Sequence, residues 1–150
     1  MTAPDPVVII CPACATANRV PRGRLAGGGK CGRCGQPLFG GQPVTLTARN
    51  FDSHLGKSGI PLVVDFWAAW CGPCRQMAPA FEAAAARLEP HVRLGKLDTE
   101  AEQAIAARYA IRSIPTMILF AGGRELARQS GAMPTGAIVD WVRSALPAQA

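Results

Sequence analysis

The most constraining feature of this chain is the spacing of its cysteines. All six fall into Cys-x-x-Cys pairs, which in chain order are Cys11/Cys14, Cys31/Cys34 and Cys71/Cys74. This spacing serves both metal binding and thiol–disulfide chemistry. The surroundings of each pair must therefore decide which chemistry it supports, and with it the kind of fold that each part of the chain can adopt.

The composition indicates a folded protein without a membrane span. The 150 residues are 49% apolar and 17% charged, and no apolar run approaches the roughly 18 residues that a transmembrane helix needs. Only four consecutive apolar residues (Val7–Ile10) precede the first cysteine, with no basic segment before them, so we expect no secretory signal. We therefore expect a cytoplasmic location, where paired thiols are more often ligands or catalysts than structural disulfides.

The character of the chain changes near residue 43. Residues 1–43 are rich in glycine, proline and arginine and hold few apolar side chains. A segment this short rarely folds around its own core and usually needs a disulfide or a metal. Residues 44–150 follow an α/β pattern instead. We predict a small amino-terminal module over 1–43 and a second domain over 44–150.

The first two cysteine pairs have the spacing of a structural zinc site. Sixteen residues separate Cys14 from Cys31, which lies in the range of zinc-binding modules. We predict that Cys11, Cys14, Cys31 and Cys34 hold one Zn²⁺ per chain in a zinc ribbon, because the metal would supply the stability that this segment lacks. The alternative is two further redox pairs, although neither pair precedes an amphipathic helix.

Basic side chains are concentrated in the same module. The first 45 residues carry five of them and a single acidic residue. Such a module can contact nucleic acid or an acidic partner. No aromatic residue precedes Phe39, so stacking on bases has little support. We expect a solvated surface and no nucleic-acid partner.

From residue 44 onward, apolar periodicity predicts alternating strands and helices. An apolar run over 61–68 predicts a strand buried on both faces, and helical spacing over 72–88 predicts a long helix. Trp70 is expected to be exposed, and Trp67 and Trp141 to be core residues. Shorter strands are predicted at 43–46, 92–98, 116–120 and 125–131, and shorter helices at 49–59, 99–109 and 134–146.

Two local signals predict helix ends in this domain. Gly56 or Gly59 is expected to close the helix over 49–59. Thr99 and Glu102 have the spacing of a capping box, in which each side chain bonds the backbone of the other, at the start of the next helix.

The third cysteine pair lies where the predicted buried strand passes into the long helix. The first turn of a helix has free N–H groups and a partial positive charge, which lower the pKa of a thiol at Cys71. Cys74, one turn on, can attack a mixed disulfide on Cys71. Gly72 permits a tight turn, and Pro73 suits the first helical turn. The alternatives are a metal pair and a buried structural pair.

The segment FWAAWCGPCR (66–75) resembles the active site of the thioredoxins. Asp65 matches the buried carboxylate of that family, and Lys96 matches its lysine neighbour. SIPT (113–116) matches the segment with a cis proline, and Gly131 matches a glycine near the site. These matches identify the second domain as a member of the family.

The resemblance covers residues 44–146 and implies a thioredoxin fold, an α/β fold in which helices flank a central mixed sheet. It implies a cis Pro115, and its one departure is Ser113, where many thioredoxins have glycine. The resemblance implies a client-binding groove formed by Trp70, Gly72, Pro73, Ser113, Ile114, Pro115 and Gly131.

Asp65 is the only charged residue in the predicted strand over 61–68. Burial raises the pKa of a carboxyl group toward neutrality, as a base that works near pH 7 requires. With the family resemblance, this favours Asp65 as the proton acceptor for Cys74, with Lys96 beside it. The alternative is a structural carboxylate held by a hydrogen bond or by Lys96.

A zinc ribbon joined to a thioredoxin domain resembles the bacterial thioredoxin 2 type. That implies a protein-disulfide reductase that exchanges its Cys71/Cys74 dithiol with client disulfides and is recharged by an NADPH-dependent thioredoxin reductase. The chain has no dinucleotide fingerprint, so we expect neither bound NADPH nor bound flavin. One alternative is a binding or redox-regulated chaperone module that uses the fold as a scaffold. Another is an oxidase or isomerase, against which the Gly72–Pro73 dipeptide favours a reductase.

Overall fold

The computed structural model describes residues 5–147. Its elements in chain order are β1 (Val7–Ile10), β2 (Ala17–Val20), a 3-10 helix (Arg22–Gly27), β3 (Val44–Thr45), a π-helix (Ser53–Lys57), β4 (Leu62–Trp67), α1 (Gly72–Leu88), β5 (Arg93–Asp98), α2 (Gln103–Arg108), β6 (Thr116–Ala121), β7 (Arg124–Ser130) and α3 (Thr135–Ala145). Within the described range, every helix is too short or too polar to cross a membrane.

A five-stranded mixed sheet forms the centre of the second domain. The strand order is β3-β5-β4-β6-β7, in which β3, β5 and β4 are parallel while β6 and β7 are antiparallel to their neighbours. β4 lies in the middle and is buried on both faces, because apolar side chains dominate it throughout. The predicted central strand and mixed sheet are confirmed.

Helices cover both faces of the sheet and enclose one apolar cluster on each. On one face, α1 and α3 pack over a cluster that includes Val63, with Trp141 partly buried at its edge. On the other face, Ile105 of α2 and Phe51, two residues before the π-helix, belong to a cluster that includes Val64. Neighbouring residues of β4 belong to different clusters because successive side chains of a strand point to opposite faces.

Both predicted helix ends are wrong. The Thr99 hydroxyl donates to the Trp67 carbonyl (3.1 Å), and Glu102 accepts from the Ala48 amide (3.1 Å), so neither side chain caps α2. The helix before β4 ends at Lys57, and its C-cap is Ser58 in an extended conformation, so no glycine closes it. At α2, partners distant in sequence replace the local bonds that the capping pattern predicts.

Residues 5–43 are here called the ribbon. β1 and β2 pair antiparallel, and each cysteine pair forms a tight turn: the Ala15 amide donates to the Cys11 carbonyl, and the Gly35 amide to the Cys31 carbonyl, both at 2.9 Å. A third apolar cluster lies inside the ribbon.

The ribbon is packed against the second domain just before β4. Ile60 is 8% exposed and completes the apolar cluster of the ribbon. The Gly59 amide donates to the Val8 carbonyl (2.7 Å), and a Cβ at Gly59 would lie 2.9 Å from the Val8 nitrogen. Only glycine permits this approach of the two backbones. The two parts of the chain therefore share a close interface.

Candidate active site and metal centre

Cys71 and Cys74 lie at the junction of β4 and α1, joined as a disulfide with their Cα atoms 5.3 Å apart. Cys71 is the N-cap of α1, and the Cys74 amide donates to its sulfur at 3.2 Å. Pro73 lies in the first helical turn, where its missing N–H leaves no bond unmade. After reduction, a thiolate at Cys71 is stabilised by this amide and by the positive end of the helix.

The segment before β6 lies against the redox pair. The Ile114 carbonyl oxygen is 3.7 Å from the Cys71 sulfur. The Ile114–Pro115 peptide bond is cis, as the resemblance implied. The Gly131 amide donates to the Pro115 carbonyl (2.9 Å), and the φ angle of Gly131 is 95°, a conformation that favours glycine. Distant parts of the chain thus meet at the cysteines.

Trp70 projects from the surface beside the pair. It is 67% exposed, and its indole N–H donates to a carboxylate oxygen of Glu100 (3.0 Å), which fixes the ring. Together with Ser113 and Ile114, the ring lines a shallow depression of about 190 Å³. An exposed aromatic ring next to a depression can contact apolar side chains of another chain.

Ser113 takes part in a small hydroxyl network at the end of this depression. Its hydroxyl donates to Ser130 (3.4 Å), whose own hydroxyl is 2.9 Å from that of Thr116. Thr116 in turn donates to the Ser113 carbonyl (2.7 Å). The network links the segment before β6 to the end of β7.

Asp65 lies in the middle of β4 and is 1% exposed. Neither of its carboxylate oxygens has a hydrogen-bond partner among residues 5–147. Burial raises the pKa of Asp65 to about 7, and the positive charge of Lys96 partly opposes that rise. The alternative that a hydrogen bond holds the Asp65 carboxylate is therefore wrong for the described part of the chain. A group with this pKa can take up or release a proton near neutral pH.

Lys96 is the residue of β5 in register with Asp65. Its ammonium group does not form an ion pair with that carboxylate; it lies 4.7 Å from the centre of the Trp67 ring, which is partly buried. Lys96 and Trp67 line a cavity of about 250 Å³ at the edge of the sheet. Lys96 therefore lowers the pKa of Asp65 through its charge at a distance.

The four remaining cysteines form one cluster in the ribbon. The sulfurs of Cys11, Cys14, Cys31 and Cys34 all lie within 4.8 Å of one another. Two of the pairs, Cys11 with Cys34 and Cys14 with Cys31, are 3.6 Å apart. Tetrahedral zinc with Zn–S bonds of about 2.3 Å separates its sulfurs by about 3.8 Å. The donor set and its size therefore fit a tetrahedral metal ion.

Backbone amides in the two turns point at these sulfurs. The Ala13 amide donates to the Cys11 sulfur and the Arg33 amide to the Cys31 sulfur, each at 3.4 Å. Such donors stabilise thiolates and orient them for a metal. The equivalent bonds in both turns indicate that the two halves of the cluster have the same role.

The redox pair and the ribbon lie at opposite ends of the sheet. Cys71 follows the carboxyl end of β4, whereas Ile60 precedes its amino end. A strand of six residues separates these ends by about 16 Å. A chain that contacts Cys71 therefore does not need to displace the ribbon.

Comparisons with known proteins agree with this geometry. The family model described as Thioredoxin matches residues 42–144, and the model described as Thioredoxin 2, N-terminal matches residues 10–36. Thioredoxin C-3 of Corynebacterium nephridii is 41% identical over 143 residues, which cover 95% of this chain and 98% of that protein. The thioredoxin of Rickettsia bellii is 34% identical over 99 residues, 66% of this chain and 94% of that protein. The structure of a mutant thioredoxin from Halobacterium salinarum is 26% identical, covers 75% of this chain and 97% of that chain, and has a TM-score of 0.65.

The fold and the Cys71/Cys74 pair define a thiol–disulfide oxidoreductase. The chain belongs to the thioredoxin family and carries the amino-terminal zinc-ribbon segment of the thioredoxin 2 type. Proteins of this family reduce disulfides in other proteins and are themselves reduced by thioredoxin reductase. The predicted family, fold and redox activity are confirmed.

Sequence reasoning missed three charged residues with defined roles in the structure. Glu100 orients Trp70, and no local pattern identifies it. Arg93 and Glu89 lie buried where the ribbon meets the second domain. Arg93 is not singled out by the sequence, because β5 also carries Lys96 and Asp98 and so lacks the lone charge that identified Asp65.

Proposed function

We propose that Cys71 is the thiol that attacks the client disulfide. Its thiolate forms a bond to one client sulfur as the client S–S bond breaks, and the other client sulfur leaves as a thiolate that takes a proton from water. The observation that carries this proposal is the position of Cys71 as N-cap, with the Cys74 amide 3.2 Å from its sulfur. A donor at that distance favours the thiolate, which is the reactive form.

Cys74 then resolves the mixed disulfide. Its thiol gives a proton to the Asp65 carboxylate, and the new thiolate attacks the Cys71 sulfur. The mixed disulfide bond breaks as the new bond forms, and the client sulfur leaves as a thiolate that takes a proton from water. The products are the Cys71–Cys74 disulfide and a fully reduced client. The pKa of Asp65, raised to about 7 by burial, suits a group that must accept a proton and later release it. Lys96 tunes that pKa through its charge.

The client chain lies in the depression beside Cys71 during this exchange. Two observations support this placement of the client. The ring of Trp70 is exposed, and the Ile114 carbonyl oxygen lies 3.7 Å from the Cys71 sulfur. A client peptide in extended conformation can form backbone hydrogen bonds with the segment that contains Ile114. We assign to this groove the residues Trp70, Gly72, Pro73, Ser113, Ile114, Pro115 and Gly131.

The ribbon holds one structural Zn²⁺ per chain through Cys11, Cys14, Cys31 and Cys34. The metal would supply the cross-link that a segment of this size needs in order to stay folded. All four sulfurs belong to the protein, so no ligand position is left for substrate, as in structural rather than catalytic zinc sites.

The oxidised protein is returned to its dithiol form by an NADPH-dependent thioredoxin reductase in the cytoplasm. The electrons pass through the Cys71/Cys74 pair alone, and we expect neither NADPH nor flavin to bind this chain. Its clients are proteins whose disulfides reach the groove.

Insulin reduction by the zinc-loaded protein tests the assigned roles. Cys71→Ser should lower the rate by at least about 10³-fold, because the attacking thiolate is lost. Cys74→Ser should instead accumulate a covalent client complex through Cys71, visible by mass spectrometry. Limiting iodoacetamide should label Cys71 before Cys74 in the reduced wild type. Labelling in the opposite order, or a covalent complex through Cys74, would reverse the two roles.

A further inference from the structure

Arg93 is a buried cation at the interface between the ribbon and the second domain. It begins β5, and its side chain is 2% exposed. One guanidinium nitrogen donates to two carbonyl oxygens of the ribbon, those of Ile10 (3.1 Å) and Leu38 (2.8 Å). The guanidinium group also lies 4.7 Å from the centre of the Phe39 ring. Most of the partners of this cation therefore come from the ribbon.

Glu89 neutralises Arg93 and is itself held by the ribbon. One carboxylate oxygen accepts from the second guanidinium nitrogen of Arg93 (2.9 Å), and the other accepts from the Gly41 amide (2.7 Å). The Glu89 side chain is 5% exposed. The ion pair is thus covered by the ribbon and satisfied by its backbone on both sides.

The two ribbon carbonyls belong to the segments that carry the metal-binding turns. Ile10 directly precedes Cys11, and Leu38 follows Cys34 by four residues. Those two cysteines have sulfurs 3.6 Å apart. The segments 10–11 and 34–38 are therefore held together at two places, at the sulfur cluster and at the guanidinium of Arg93.

We infer that Arg93 couples metal binding in the ribbon to the stability of the thioredoxin domain, an inference that rests on the proposed zinc site. A ribbon held in shape by zinc presents both carbonyls and the Gly41 amide to the ion pair. A ribbon without zinc loses that arrangement, and buried charges that lose their partners destabilise the fold strongly. Since such coupling is reciprocal, the docked domain must also raise the zinc affinity of the ribbon. Arg93 acts here as a positioning residue, remote from the redox chemistry.

Chelator competition and thermal melting of the full chain test this coupling. Arg93→Met keeps the length of the side chain and removes its charge and donors. Its zinc affinity should fall at least tenfold, and the rise in melting temperature that zinc gives the wild type should shrink by more than half. The matched control is Arg87→Met, an exposed arginine at the end of α1. It should leave both quantities at wild-type values.

Wild-type affinity and an undiminished zinc-dependent melting shift in Arg93→Met would overturn the inference. If Arg93→Met does not fold, the same two measurements on Glu89→Gln, together with hydrogen exchange of the wild type, test the coupling. Zinc removal should speed exchange at least tenfold in β5 as well as in the ribbon, and an increase confined to the ribbon overturns the coupling. Metal analysis is read separately: a purified chain without zinc refutes the proposed metal site, whereas bound zinc without coupling refutes only the role of Arg93.

Discussion

Asp65 and Lys96 occupy paired positions on adjacent parallel strands, yet their charges do not meet. The ammonium group of Lys96 lies over the Trp67 ring at 4.7 Å, and the carboxylate of Asp65 has no hydrogen-bond donor within the described chain. Asp65 is therefore a buried carboxyl group whose lost hydration is not replaced by a hydrogen bond or an ion pair within the described chain.

Asp65→Asn should stabilise the protein at pH 7 by roughly 1–3 kcal/mol. The pKa of Asp65 is raised to about 7 in the folded state, from an ordinary value of 3.8. As pH rises above 4, the unfolded chain ionises first, and stability falls until the folded carboxyl group ionises near pH 7. Urea melts of the reduced protein at pH 4 and pH 8 measure the effect, which should be much larger at pH 8.

The matched control for that experiment is Asp140→Asn, an exposed position on α3. It should change stability by less than about 0.5 kcal/mol at both pH values. Asp65→Asn should also slow release of the client from the mixed disulfide. Destabilisation by Asp65→Asn at pH 8 would contradict a desolvated carboxylate at this position.

Lys96→Met should raise the pKa of Asp65 above its present value of about 7. The lysine charge lowers the pKa of this carboxyl group, so its removal leaves desolvation unopposed. NMR titration of the Asp65 carboxyl carbon measures the shift directly, and Lys57→Met, at an exposed position, serves as the control. An unchanged titration midpoint in Lys96→Met would show that the lysine charge does not reach Asp65.

Zinc binding and disulfide exchange should separate cleanly by mutation. The double variant Cys71→Ser/Cys74→Ser should retain one zinc per chain and lose reduction of insulin, because the two sites lie at opposite ends of the sheet. Cys14→Ser should lose zinc affinity by several orders of magnitude. Atomic absorption of the purified variants checks both outcomes. Loss of zinc from the double variant would mean that the cysteine pairs share one site.

His54 should make the protein sensitive to acid. It is 1% exposed, its Nε2 atom has no partner among residues 5–147, and burial together with the charge of Arg93 lowers its pKa to about 4. The unfolded chain takes up a proton near pH 6.5, so this contribution is complete above pH 6.5 and is lost as pH falls toward 4. The loss should reach about 3 kcal/mol.

His54→Leu should remove that part of the pH dependence between 6.5 and 4, measured by urea melts at several pH values. The chain has one other histidine, His91, which is exposed, and His91→Leu supplies the control. Parallel stability curves for wild type and His54→Leu across this range would argue against a histidine held neutral by burial.

Most of the fold and the redox site could be predicted from the sequence because they depend on signals close together in the chain. The strand over 61–68 is indicated by an apolar run with a single charged residue, Asp65, and Cys71 follows three residues after that run. The zinc cluster is likewise predictable from two pairs at a known spacing. The identity of the groove residues came through a family resemblance, since no local pattern connects Pro115 with Cys71.

What could not be predicted depends on contacts between distant parts of the chain. Thr99 and Glu102 have a capping sequence, but each finds a partner elsewhere, at Trp67 and Ala48. Arg93 donates to two backbone carbonyl groups of the ribbon. Because every residue has a backbone carbonyl, the sequence does not show which ones accept this bond. Interfaces built from backbone oxygens become visible only once the chain is folded.

The docking of the ribbon also sets an order of events during synthesis. The ribbon leaves the ribosome first, but Arg93 is made 83 residues after Ile10, whose carbonyl it binds. At about 5–20 residues per second, that interval lasts roughly 4–17 s. Throughout it, the nascent ribbon lacks the guanidinium of Arg93, although Gly59 and Ile60, which also contact the ribbon, are made earlier. A buried contact of the ribbon is thus supplied by a strand that has not yet been made when the ribbon emerges.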